Sequence, residues 1–238
     1  MSDTISIFVQ REVPIIIGIT VVLCILSVVI GNKIKKSDPL AKPSGIVMMA
    51  CWLVEMVDNM VEGTINKKYS IKLAPYIGTI AIFIFLSNII GLFGIYSPTQ
   101  NYSVTLALAI ITWVLIQGVC IKENGIKAYF KGYIEPFAFL LIPNFFGRVS
   151  PLISMSLRLF GNILSGTLIM TLMYAFTDFL SGSILSIFSI DLPGLNFIGP
   201  IITPVFHAYF DVFVGFIQMF IFITLTMVFI SNELPQEK

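Results

Sequence analysis

Charged side chains are scarce in this sequence. Only 11% of the 238 residues are Asp, Glu, Lys or Arg, whereas a soluble domain has about 25%. Apolar residues make up 57% of the chain, and its mean hydropathy is +0.95. This balance excludes an ordinary soluble protein and predicts an integral membrane protein. The net charge of +1 gives no reason to expect nucleic acid or another acidic partner.

Residues that bind metals or form disulfides are also scarce. His207 is the single histidine, so a histidine-based metal cluster is excluded. Cys24, Cys51 and Cys120 are odd in number, lie in or beside apolar segments and show no CxxC spacing, which argues against a disulfide framework or a metal site. Phosphate-binding loops and GxSxG are absent as well. We therefore expect no metal, no cofactor and no catalytic centre within this chain.

The first apolar segment, residues 13–30, is predicted to remain in the membrane as a span. The residues before it form no basic region, and no small-residue cleavage pattern follows it, so it does not resemble a signal peptide. Instead it is followed by GNKIKK, a lysine-rich flank that is typical of a stop-transfer sequence. Pro14 suits the first turn of a helix.

Further apolar segments predict spans at 75–95, 104–121, 152–180 and 200–231. As helices, the apolar stretches 152–180 and 205–231 would be about 43 and 40 Å long, but the hydrocarbon core is about 30 Å thick. We therefore predict a strongly tilted helical hairpin, joined by a polar loop at about 181–199. Residues 136–152, which are apolar but interrupted by prolines and a glycine, are expected to form a short re-entrant or interfacial approach to the hairpin.

Residues 44–63 have the pattern of an amphipathic helix. Glu55, Asp58, Asn59 and Glu62 recur at spacings of three and four, opposite apolar neighbours, and Gly63 closes the segment. This pattern favours a helix lying on the membrane surface; the alternative is a short solvated helix packed on the protein. The predicted fold class is thus an all-α polytopic membrane protein, one membrane domain with five crossings and one interfacial helix.

The positions of lysine and arginine predict the orientation. Segments 31–45, 63–74 and 122–148 are rich in these residues, whereas loops 96–103 and 181–199 contain none. Because basic loops stay in the cytoplasm, the N-terminus is predicted outside and the C-terminus inside.

Arg158 is the one lysine or arginine residue within a predicted span. A central arginine costs about 2.5 to 3.5 kcal/mol on insertion scales. At helical spacing it shares a polar, small-residue face that includes Ser154, Gly161, Asn162 and Ser165. Three explanations compete: an internal ion pair that holds helices together, a lipid headgroup site, or a fixed charge beside an ion pathway.

The final segment carries the other polar residues. His207, Asp211 and Gln218 are spaced by four and seven and so share a helix face, as does Gly215. A carboxylate and an imidazole one turn apart can pass a proton or line a wet cavity. The alternative is a structural hydrogen-bonded cluster, with Arg158 paired to Asp211. Asp178, near the predicted outer face, is either a channel mouth or a plain helix-end residue.

These residues resemble a known family. The motif LRLFGN, with Arg158 and Asn162, is similar to the signature of subunit a of the rotary proton-translocating ATP synthases, in the bacterial form. The likeness extends to PTQNYSVTLALA at 98–109, GFIQMFIFITLTMVFIS at 215–231 and VEGTINKKYSIKLAPYIGT at 61–79.

The resemblance implies a function and partners. It implies a non-catalytic stator subunit of the bacterial plasma membrane, held by b subunits of the peripheral stalk against a ring of c subunits and linked indirectly to the soluble catalytic head. Two half-channels would connect the ring carboxylates to opposite sides, so that proton flow drives rotation and ATP synthesis. Arg158 would correspond to the essential arginine that faces the ring carboxylate, with Asn162 and Gln218 close to it.

The sequence also departs from the family pattern. Where many relatives carry a glutamate, nine residues after the arginine, this chain has Thr167, and where some carry a histidine it has Asp211. The membrane carboxylate has thus changed helix, and we hypothesise that Asp211 and His207 line the outward half-channel, with Ser154, Ser165, Thr167 and Asp178 as further lining candidates. A sodium-translocating version, a stand-alone secondary transporter and a membrane scaffold are the alternatives.

Overall fold

The computed structural model describes residues 12–36, 44–65, 67–134, 137–187 and 195–234, and every regular element in these ranges is helical. The α-helices are α1 (Glu12–Lys36), α2 (Gly45–Thr64), α3 (Lys67–Ile89), α4 (Tyr102–Asn124), α5 (Ile126–Ile134), α6 (Leu141–Ile187), α7 (Gly199–His207) and α8 (Gly215–Glu233). Short 3-10 turns occupy Ile90–Phe93, Pro98–Gln100 and Ala138–Leu140, and a π-helical segment, Ala208–Val214, joins α7 to α8. The all-α prediction is confirmed, while parts of the predicted linker 31–45 and loop 181–199 lie outside the described residues.

Among the described residues, five helical stretches are long and apolar enough to cross a membrane. They are Glu12–Lys36, Tyr69–Phe93, Tyr102–Asn124, Leu141–Ile187 and Gly199–Glu233. By length and composition they confirm the five predicted crossings. Most of these helices extend beyond the predicted bounds. The predictions ended where the apolar residues end, whereas polar residues can continue the helical backbone hydrogen bonds beyond the membrane core.

The largest difference from the sequence prediction is the length of α6. Its 47 residues correspond to about 70 Å of helix. The approach predicted at 136–152 is instead mostly the first part of this helix, which starts at Leu141, eleven residues before the predicted start. Pro143 lies in the first turn, where no backbone donor is needed, and Pro151 is accommodated inside the helix. The proline-based prediction of a break was therefore wrong.

Asn196 ties the two long helices together at one end of the hairpin. Its Oδ1 accepts a hydrogen bond from the backbone N–H of Gly199 at 2.7 Å and another from the hydroxyl of Ser181 at 3.1 Å. Its Nδ2 donates to Oγ1 of Thr177 at 3.0 Å. The start of α7 is thereby fixed to the last third of α6.

The apolar core lies among α2, α3, α4, α6 and α8. Its fully buried side chains include Ile77, Ile84, Phe222 and Met227. One close approach sets the spacing of α3 and α8: a Cβ on Gly215 would lie 2.9 Å from Cβ of Asn88. Nδ2 of Asn88 donates to the carbonyl of Gly215 at 3.2 Å, so the contact is also hydrogen-bonded.

An aromatic cluster around Arg148 anchors α5 to α4 and to the first part of α6. The guanidinium carbon lies 4.6 Å and 4.7 Å from the ring centres of Tyr129 and Tyr133. Trp113 Nε1 donates to the Arg148 carbonyl at 2.7 Å. The Tyr129 hydroxyl donates to Gln117 and hydrogen-bonds to Tyr133, each at 2.9 Å. Burial, together with Tyr129, raises the pKa of Tyr133 to about 12, so this hydroxyl stays protonated at neutral pH.

The predicted amphipathic segment 44–63 is helical as α2. Its Val57 contacts α3, since a Cβ on Gly78 would lie 3.6 Å from that side chain, and Glu55, Asp58 and Glu62 are exposed. The surface position of this helix in the membrane stays a prediction.

Candidate functional site

A cavity of about 200 Å³ opens where α3, α6 and the π-helical segment meet. Its polar lining comes from these three elements, from the end of α7 and from the connection between α3 and α4, and includes Asn88, Ser97, Gln100, Asn162, Thr167, His207 and Asp211. That connection belongs to the lysine-free loop 96–103, which is predicted to lie outside. On the predicted orientation the cavity is therefore on the outer side of the membrane.

His207 and Asp211 form a direct pair at this cavity. Nδ1 of His207 lies 2.7 Å from Oδ2 of Asp211, and the two side chains are 28% and 22% exposed. Their spacing of four brings them together on one helix face, as the sequence predicts. Asp211 lies inside the π-helical segment, a type of distortion that is frequent at functional sites. The same carboxyl group lies beside Gly91, where an added Cβ would sit 3.6 Å from its carbon.

Tyr174 of α6 completes a hydrogen-bonded chain with this pair. Its hydroxyl lies 2.8 Å from Nε2 of His207, so the imidazole is held at both nitrogens. Sequence reasoning missed Tyr174. A signal existed, because Tyr174 lies seven residues after Thr167 and four before Asp178, on the helix face that those two candidates share.

Thr167 also lies at the cavity. Its hydroxyl accepts from Nε2 of Gln100 at 3.3 Å and donates to the Ile163 carbonyl. Thr167 and Asp211 therefore face one cavity from two helices, although they are separated by 44 positions in the chain.

Asn88 is a second residue that sequence reasoning missed. It is buried, lines the cavity and accepts from the hydroxyl of Thr99 at 3.2 Å, while Ser97 bonds to Thr99 and to the Ser87 carbonyl. An asparagine within the apolar run IFLSNIIGLFG was the available signal, because a buried amide needs partners. These bonds fix the wall of the cavity opposite α6.

Arg158 is exposed and makes no hydrogen bond or ion pair within the described part of the chain. Its predicted neighbours Ser154, Gly161 and Ser165 are exposed too, so none of the described helices covers this face of α6. Asn162 is half-buried and turns toward the cavity instead. Asp211 pairs with His207, and the alternative of an Arg158–Asp211 ion pair is therefore wrong.

Gln218 and Asp178 lie apart from the cavity lining. Gln218 is 5% exposed, packed inside the helix bundle, and its Nε2 has no hydrogen-bond partner in the part of the chain described. Asp178 is exposed on α6, one turn beyond Tyr174. The site that the structure assembles thus consists of Asp211, His207, Thr167 and Asn162, with Tyr174, Asn88 and Gln100 added.

A carboxylate paired with an imidazole at a partly open polar cavity can bind and release a proton. The described ranges contain no group of three His, Cys, Asp or Glu side chains suited to a metal ion. The exposed arginine on the neighbouring face supplies a fixed positive charge.

Comparison with known proteins gives one consistent result. Residues 14–231 match the family described as ATP synthase A chain. A protein of Mycoplasma pneumoniae named ATP synthase subunit a is 37% identical over 225 residues, covering 87% of this chain and 73% of its own length. ATP synthase subunit a of Staphylococcus aureus (strain JH9) is 32% identical over 225 residues, covering 90% of this chain and 85% of its own length.

Proposed function

Because the chain belongs to the ATP synthase subunit a family, we propose that it is the ion-conducting stator subunit of the membrane sector and that it carries protons. In this proposal it offers two half-channels to a ring of c subunits, and proton flow through them drives rotation. The observation that carries the proposal is the pairing of Asp211 with His207 at a polar cavity, next to a helix face that presents Arg158.

The cavity is the outward half-channel in this proposal. Its lining includes an acid, an imidazole and several amide and hydroxyl groups, which together can hold the water that a proton path needs. Asp211 takes the place of the carboxylate that many relatives carry at the Thr167 position. Since positions 167 and 211 both line one cavity, the Asp211 carboxylate contacts the same cavity from the wall opposite Thr167.

Arg158 is the fixed charge between the half-channels. Its guanidinium supplies a positive charge and lacks a partner within the described residues, so it is free to attract an ionised ring carboxylate. The positive charge also opposes direct passage of protons between the two half-channels. The exposed face of α6, with Ser154, Gly161 and Ser165 beside Arg158, is the surface that we assign to the ring.

The remaining assignments follow the same proposal. The subunit lies in a bacterial plasma membrane with its N-terminus outside and its C-terminus in the cytoplasm, and b subunits of the peripheral stalk hold it against the ring. The family resemblance places Gln218 and Asn162 close to Arg158, and Asp178 lies near the outer mouth. The catalytic steps of ATP synthesis belong to the soluble head.

The outward half-channel is tested with Asp211→Asn, which keeps the shape of the side chain and removes its charge. We expect ATP-driven proton pumping by the whole complex in inverted membrane vesicles to fall by about tenfold or more, the scale of one acid–base group. Asp58→Asn on α2 is the matched control, and Asp178→Asn decides whether that acid belongs to the path. Pumping by Asp211→Asn at the rate of the Asp58→Asn control would refute the half-channel.

The fixed charge is tested with Arg158→Ala. Because the side chain has no partner within the described residues, the complex should assemble, but coupled ATP synthesis should be lost and the membrane should leak protons. Arg158→Lys retains a charge but not the delocalised guanidinium, and should couple poorly. A fully coupled Arg158→Ala complex would exclude the proposed role.

A further inference from the structure

We propose that Tyr174 is a positioning residue of the proton path: it holds His207 in the tautomer that donates from Nδ1 to Asp211, so that Asp211 presents its other oxygen, Oδ1, to the cavity as the atom that carries the proton. This inference rests on the proposed function of the cavity. It adds Tyr174 to the site, whose hydroxyl acts on Asp211 through the imidazole of His207.

The hydrogen-bond geometry leaves one consistent assignment for a neutral imidazole beside an ionised carboxylate. A carboxylate accepts hydrogen bonds and cannot donate, so the proton between the side chains must sit on Nδ1 of His207. Nε2 is then an acceptor, and the group 2.8 Å from it is the Tyr174 hydroxyl, which donates. A phenolic hydroxyl stays protonated at neutral pH and therefore supplies this bond reliably.

The fold fixes the reach of Tyr174. The Tyr174 carbonyl accepts from the hydroxyl of Thr177 at 3.0 Å, and Thr177 in turn accepts from Asn196, which caps the start of α7. His207 ends the same short helix, α7. The two partners are therefore held by one hydrogen-bonded tie between α6 and α7.

The carboxyl group of Asp211 is divided between two tasks. Oδ2 is occupied by His207, whereas Oδ1 makes no hydrogen bond within the described residues. Asp211 lines the cavity together with Gly91, and a Cβ on Gly91 would lie 3.6 Å from Oδ1. In the transfer step a hydronium ion in the cavity gives one proton to Oδ1 and becomes water. The protonated group then releases that proton to the next acceptor on the path and returns to the carboxylate.

The remaining titratable groups around the pair come from three elements. Tyr174 and Asp178 lie on α6, Tyr96 lines the cavity from the connection after α3, and Tyr209 lies on the π-helical segment. None of them is basic, and within the described residues the Nδ1–H of His207 is the one donor to the Asp211 carboxyl group. Without Tyr174, the second tautomer would turn a lone pair toward the carboxylate, and this hydrogen bond would be lost.

Tyr174→Phe tests this inference by two readouts. His207 is the only histidine, so ¹⁵N-histidine labelling of the full chain in lipid bilayers reports one imidazole. We expect the wild type to show the Nδ1–H tautomer, and Tyr174→Phe to lower the ratio of Nδ1–H to Nε2–H by roughly threefold to tenfold, the effect of one hydrogen bond. In the whole complex, the plot of ATP synthesis against outside pH should shift to higher pH by up to about one pH unit, because the carboxylate loses the hydrogen bond that His207 donates to it.

Tyr209→Phe is the matched control, because the Tyr209 hydroxyl makes no hydrogen bond within the described residues and its ring stacks on Phe213. It should leave both readouts unchanged. An unchanged tautomer in Tyr174→Phe would overturn the inference, as would a changed tautomer with an unchanged pH profile. If instead the proposed function is wrong, Asp211→Asn should pump protons at the normal rate, whichever His207 tautomer is found in Tyr174→Phe.

Discussion

Arg148 and Arg158 lie on one helix, about 15 Å apart along its axis, and meet opposite surroundings. Arg148 lies over two tyrosine rings and donates to the sulfur of Cys120 at 3.7 Å. Arg158 is exposed and touches no partner within the described residues. One guanidinium is thus used to hold the subunit together, and the other is left available to a group on another chain.

We predict that Arg148→Ala loosens the contact of α5 with α4 and α6. The loss of two cation–π contacts, worth about 0.5 to 1 kcal/mol each, should lower stability by about 1 to 2 kcal/mol. Cys120 is 2% exposed beneath this contact. To follow Cys120 alone, the exposed Cys24 and Cys51 are first replaced by serine. In that background, Arg148→Ala should raise the alkylation rate of Cys120 severalfold.

Lys127→Ala, an exposed change on α5, is the control for this measurement and should leave alkylation slow. Arg148→Lys should fall between the wild type and Arg148→Ala, because it keeps the charge but loses the flat surface that stacks on the rings. Slow alkylation in Arg148→Ala would show that the aromatic cluster does not hold α5 in place.

Gly215→Ala should disturb both the packing and the cavity. The added Cβ would lie 2.9 Å from Cβ of Asn88, so α3 and α8 must move apart, and such overpacking costs about 1 to 3 kcal/mol. The hydrogen bond from Asn88 to the Gly215 carbonyl would be strained as well. We expect a lower unfolding temperature of the purified chain in detergent, together with slower proton pumping in vesicles.

Gly182→Ala gives the matched comparison, because nothing lies within 4 Å of a Cβ at that position. Alanine in an open helical position should raise stability slightly. Equal unfolding temperatures for Gly215→Ala and Gly182→Ala would mean that the close approach of α3 and α8 is not a constraint.

The membrane carboxylate should be movable between the two walls of the cavity. If Thr167 and Asp211 serve the same space, Thr167→Glu should restore part of the pumping that Asp211→Asn removes. The expected gain is several-fold over Asp211→Asn alone, measured as the initial rate of ATP-driven pumping. Thr171→Glu, one turn further along α6 and outside the cavity lining, should restore nothing, and rescue by both changes would refute a specific shared site.

The sequence predicts the helices and part of the site, for identifiable reasons. Apolar runs give the five spans, and the spacing of four between His207 and Asp211 places them together because the contact is local. The predicted length of α6 was too short because Pro143 and Pro151 were interpreted as helix breaks. Pro143 lies in the first turn, where no backbone N–H donor is needed, and Pro151 is accommodated inside the helix. The bond from Tyr174 to His207 joins residues 33 positions apart and depends on how two helices pack, which periodicity does not record.

The π-helical segment has a consequence for how this helix can change length. A π-helical turn holds one more residue than an α-helical turn, and here it lies between two fixed points, the Asn196 tie before α7 and the Gly215–Asn88 contact at the start of α8. Gain or loss of a single residue between these anchors can be absorbed as a wider or narrower turn. The Asp211 carboxyl group can thus change its angular position around the helix axis, while α7 and α8 keep their packing positions.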